Sequence, residues 1–72
     1  MDRELDVSDL EPPEPLERIL DALMDLRPGD RLAVRHRRLP YPLFDMLRRM
    51  GHRYETTGAE GAYRILIWPS DE

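Results

Sequence analysis

The stretch Leu5-Asp6-Val7-Ser8-Asp9-Leu10-Glu11-Pro12-Pro13-Glu14-Pro15-Leu16 joins two different hydrophobic rhythms. On its N-terminal side, residues 3–7 alternate charged and apolar side chains, with Leu5 and Val7 on one face, which predicts a short strand. From Leu16 onward the apolar positions are 16, 19, 20, 23, 24 and 26, the spacing of one helical face, with Glu17, Arg18, Asp21 and Asp25 facing out. Between the two lie Pro12, Pro13 and Pro15. A proline ring fixes φ at about −65°, so these residues set the angle at which the chain enters the helix. Pro15 is tolerated because the N–H groups of a first turn have no helical partner.

The rest of the chain extends this strand-to-helix unit. Arg27-Pro28-Gly29-Asp30 stops the helix and turns the chain. Residues 31–36 predict a second strand, with Leu32, Val34 and His36 on one face and Arg31, Ala33 and Arg35 on the other. After Arg37-Arg38-Leu39 and Pro40-Tyr41-Pro42, a second helix is expected with Leu43, Met46, Leu47 and Met50 as its buried stripe and Gly51 as its C′ residue. Residues 52–57 and 62–68 read as two strands joined by a four-residue, glycine-flanked connection. If Thr57 pairs with Ala62, Tyr54 faces Ile65 and Glu55 faces Arg64. The expected fold is a single α+β domain over residues 1–72, in the order β-α-β-α-β-β. Two helices cover one face of a four-stranded mixed sheet, as a two-layer sandwich.

At 72 residues there is room for one thin core and none for a deep, self-supported active site. Cysteine is absent, which excludes disulfides, thiolate metal sites and cysteine nucleophiles. The charged opening Met1-Asp2-Arg3-Glu4 is not followed by an apolar segment, so no signal peptide is expected. A membrane span needs ~20 apolar residues, and no run approaches that. A cytoplasmic protein without a membrane anchor is therefore expected. Every basic residue is Arg, and the net charge of −4 is unevenly spread. Residues 1–30 carry ten acids against three Arg, while residues 31–53 carry seven Arg against Asp45 alone.

The element order, together with Leu5, Asp6, Leu10, Pro13 and Pro15, resembles the TusA-like (SirA-like) sulfur-carrier family, whose signature looks like Leu-Asp-x-x-x-Leu-x-Cys-Pro-x-Pro. Pro12 stands where that resemblance places the sulfur-carrying Cys. An uncharacterised branch of the family, a domain of unknown function, resembles the chain further through His36, Pro40, Pro42, Leu43, Leu47 and Gly51. What the resemblance implies is a sulfur-carrier fold without sulfur chemistry. Position 12 has no thiol, and Glu11, Glu14 and Glu17 supply carboxylates where a thiolate would want positive charge.

No glycine-rich phosphate loop, Ser-His-Asp set or cleft carboxylate pair is recognisable, so neither an enzyme nor a cofactor is expected. Arg35, Arg37, Arg38, Arg48, Arg49 and Arg53 form the candidate binding segment for an anion or a partner, set against the plainer reading of a solvated face. His36 and His52, the two histidines, are weak metal or small-ligand candidates, with Asp45 or Glu55 to complete a set. The plainer reading of His36 is a hydrogen-bonded structural histidine. Leu66 and Trp68 share a strand face that two helices on one side would leave open. That face suits self-association or a partner, unless the C-terminal tail folds over Trp68. Taken together, the residues favour a non-catalytic protein-interaction or adaptor module. Nucleic-acid binding through the Arg-rich segment is the alternative, disfavoured by the net acidity.

Overall fold

The computed structural model describes residues 2–70. Its elements are β1 (Asp2–Asp6), α1 (Glu14–Met24), β2 (Arg31–His36), α2 (Tyr41–Arg49), β3 (His52–Ala59) and β4 (Ala62–Pro69). The sheet order is β1-β2-β4-β3, with β1 parallel to β2 and both remaining pairings antiparallel. This is the expected four-stranded mixed sheet, carrying two helices in an α+β arrangement consistent with a two-layer sandwich.

Register explains the one-sided core. Val34 lies opposite Leu5 on β1 and Ile65 on β4, and Leu32 lies opposite Ile67, which in turn faces Tyr54 on β3. Val7 extends the β1 ladder by donating its N–H to the Arg35 carbonyl at 3.0 Å. Against these pack Ile19 and Leu23 of α1 and Leu43, Phe44 and Leu47 of α2, all buried. Phe44 also stacks on Tyr54, with ring centroids 4.5 Å apart.

Helix α1 starts at Glu14, with Pro13 as N-cap and Pro15 in the first turn, as expected, and buried there. Two expectations need correction. Met24, counted on its apolar face, is the last residue of the helix and is 83% exposed. In α2 the buried stripe is Leu43, Phe44 and Leu47, while Met50 is 45% exposed. The stacking of Phe44 on Tyr54 turns that helix towards β3, away from the Met46–Met50 edge.

The β3–β4 register also differs. Thr57 pairs with Arg64, Tyr54 with Ile67 and Glu55 with Leu66, two residues from the expected pairing. The strands run on through Gly58 and Ala59, so Glu60 and Gly61 alone make the turn. Gly58 takes φ +95°, and a methyl group added there would collide with the Ala62 carbonyl oxygen. A shift of two leaves every side chain on its expected face.

The uncovered face has a regular layout. One row reads Asp2, Arg31, Trp68, Arg53; the next Glu4, Ala33, Leu66, Glu55; the last Asp6, Arg35, Arg64, Thr57. Column β1 is thus wholly acidic. Ala33, on this same face, is only 4% exposed, its methyl group lying among longer side chains that flank it. Leu66 and Trp68 are half-buried. The final two residues of the tail, 71 and 72, which were expected to compete for Trp68, lie outside the described residues.

Candidate functional site

Two parallel strands deliver two loops to the same end of the sheet. Strand β1 leads through Glu11, Pro12 and Pro13 into α1, and β2 leads through Arg37, Arg38, Leu39 and Pro40 into α2. Both helices therefore begin there, each with a proline N-cap, no side-chain cap and a second proline inside the first turn. The entries share a motif, Pro13-Glu14-Pro15-Leu16 and Pro40-Tyr41-Pro42-Leu43. That Pro-x-Pro-Leu repeat was readable in the sequence and marks both walls of the site.

Between the entries lie two adjoining clefts of about 320 Å³ each, which share Pro12, Pro15, His36 and Arg38. One is completed by Val7, Leu10, Glu11 and Arg37. The other runs between the helices, where Leu16, Leu39 and Leu43 join the prolines as walls. In this second cleft His36 and Arg38 are the only residues with ionisable side chains. Small, largely apolar concavities with a few convergent polar groups are the usual form of a ligand site.

His36 is held rather than mobile. Its Nδ1 accepts the Arg38 backbone N–H at 3.0 Å, which leaves the ring proton on Nε2. Burial, then the charges of Arg37 and Arg38, push its pKa below the ordinary 6.5, so the ring is neutral at pH 7. The hydrogen-bonded histidine reading therefore describes its environment. Above it, Arg37 and Arg38 are exposed, and neither guanidinium has an ion-pair or hydrogen-bond partner among the described residues. Arg37 contributes its carbonyl instead, accepting the Gly61 N–H at 3.1 Å and tying the β3–β4 turn to this end.

The remaining candidate residues do not gather here. Arg35 and Arg53 lie on the uncovered sheet face, on β2 and β3. Arg48 and Arg49 sit in the last turn of α2, a nine-residue helix, and so stand roughly 12 Å of helix rise from its entry. Arg48 is occupied, donating to Asp45 and, at 3.2 Å, to the Tyr54 hydroxyl. The Arg-rich segment is thus divided among three surfaces, because α2 carries its later members away from its earlier ones. The histidines are separated as well. His36 lies opposite Tyr63 and His52 opposite Pro69, six residues and about 20 Å apart along β4. Glu55 belongs to the opposite sheet face from His36, and Asp45 is paired with Arg48. Among the described residues no three His, Asp or Glu converge on a point.

A family model described as "Uncharacterized conserved protein (DUF2249)" matches residues 4–69. The chain belongs to this family. The DUF2249 match runs from β1 to the end of β4 and includes both Pro-x-Pro-Leu entries and the Arg37-Arg38 loop. No curated protein and no solved structure matches the chain. No helix of this DUF2249 domain is long and apolar enough, among the described residues, to cross a membrane.

Proposed function

We propose that this DUF2249 domain is a non-catalytic, cytoplasmic interaction module that docks an acidic protein partner on the Arg37–Arg38 crest. One observation carries the reading: two adjacent, exposed guanidinium groups stand without a partner among the described residues at the junction of both helix entries. Glu11 and Glu60 lie nearby but neither is paired with Arg37 or Arg38, so both guanidinium groups remain available to an incoming carboxylate, which Arg binds in a two-pronged geometry.

The resemblance to TusA-like carriers fits a scaffold that has lost sulfur chemistry, with Pro12 at the position of the carrier's Cys. The chain contains no thiol; Glu11, Glu14 and Glu17 are close to that position in sequence, while Arg37 and Arg38 line the cleft it borders. Pro12→Cys tests which charges dominate: with the carboxylates ahead, the thiol pKa is expected at or above the free value of ~8.5. Titrating the thiolate absorbance checks this, and a pKa well below that value would remove the electrostatic half of the argument.

The adaptor reading is tested by pull-down of the tagged protein from its native lysate, with and without nuclease. A discrete protein retained after nuclease and lost with Arg37→Glu is the expected outcome. Recovery of RNA or DNA that disappears with nuclease and salt would assign the crest to nucleic acid instead.

A further inference from the structure

We propose that the groove below the crest is a site for a small amphipathic carboxylate, a hydrocarbon or aromatic body bearing one acid group, with Arg38 common to groove and crest. This goes beyond the adaptor reading and does not require a protein partner.

The lining of the groove is mixed in chemistry. Prolines from both helix entries, with Leu16, Leu39 and Leu43, present hydrocarbon. The lining residues with polar side chains are both donors: the exposed Arg38, whose guanidinium has no partner among the described residues, and His36, whose proton is fixed on Nε2 by the hydrogen bond at Nδ1. Two donors and an apolar trough complement an anion that carries an apolar body. A cation is disfavoured by Arg38, and a fully polar ligand would leave its groups unsatisfied against the prolines.

The same prolines argue against a peptide as occupant. Pro12, Pro13, Pro15, Pro40 and Pro42 have no N–H. The amides of Glu14, Tyr41 and Leu43 are already spent, donating to the carbonyls of Glu11, Leu39 and Pro40 at 2.9–3.1 Å. A peptide main chain lying here would bury more carbonyl groups than the donors of Arg38 and His36 can meet, at a cost for each one left over. A hydrocarbon chain incurs no such cost. The volume of each cleft, about 320 Å³, is at the small end of the range for organic ligands and suits a body of several carbons.

The test is a titration of the full-length, isotope-labelled chain with octanoate, monitored by amide and methyl NMR shifts, with octan-1-ol as the uncharged comparison. A short acidic peptide forms the third arm. Octanoate should bind saturably, with shifts centred on Leu16, Leu39, Leu43 and the His36 ring, and octan-1-ol at least tenfold more weakly. Arg38→Met, which keeps the side-chain stem and loses the charge, should bring octanoate down to the level of the alcohol. Arg49→Met, at the far end of α2, should leave it unchanged. Equal affinity for acid and alcohol, or shifts scattered over the surface, would overturn the proposal. So would peptide-induced shifts in the groove without any from octanoate. Because Arg37→Glu tests the crest separately, the adaptor reading and the groove can each fail alone.

Discussion

Gly58 shows how a single residue sets a hairpin. Its φ of +95° and the Ala62 carbonyl beside it leave no room for a side chain. Gly58→Ala should therefore cost about 1–3 kcal/mol in urea unfolding, a large share of what a domain this small possesses. A neutral result would mean that the turn relaxes around the methyl group. His36 acts through charge. Burial and the two neighbouring arginines make it harder to protonate in the folded state than in the unfolded chain. Its contribution is present above about pH 6.5 and is lost as pH falls through the lower folded value. Thermal unfolding between pH 7 and 5 should show that decline, and His36→Gln, which retains an acceptor for the Arg38 N–H, should flatten it. An unchanged slope in the variant would assign the decline to other groups.

At the scale of elements, α2 separates what the sequence could express from what it could not. Leu47 is fully buried and Met50 is 45% exposed. Leu47→Ala should cost about 2–5 kcal/mol and Met50→Ala less than about 0.5 kcal/mol, as chemical denaturation can measure. Comparable losses would restore the Met46–Met50 stripe read from the spacing. Arg48→Ala removes an exposed pair with Asp45 and should change stability by no more than about 1 kcal/mol. Element order, strand faces and the Gly51 helix stop were legible because periods of 2.0 and 3.6 residues leave their mark on hydrophobicity. Helix rotation was not, since a nine-residue helix offers several adjacent stripes and the ring of Tyr54, distant in sequence, selects among them. Strand alternation fixes which way side chains point, but pairing slipped by two residues satisfies it equally, so the β3–β4 register depended on where the turn fell. The groove was legible only in part. Both proline entries are evident, yet their meeting follows from the parallel pairing of β1 with β2, and the arginines adjacent in sequence are dispersed by the helix between them.

For the whole molecule, one core serves both helices and all four strands, and β4 is bonded on both sides. Unfolding should be a single event. Fluorescence of Trp68, on β4, and far-UV circular dichroism should therefore lose their signals at the same denaturant midpoint, whereas separated midpoints would reveal a second cooperative unit. Strand β1 forms one margin of the sheet, and Asp2, Glu4 and Asp6 line its uncovered side. A second molecule offering the same margin in antiparallel fashion would set three carboxylates against three. The protein thus carries its own guard against edge-to-edge stacking into fibrils. Hydrogen bonds from Arg31 to Asp2 and from Ser8 to Asp6 hold both carboxyls below the ordinary 3.8, so two of the three charges persist further into acid. Edge-to-edge fibrils should be sought only at the lower pH where those last charges are finally extinguished.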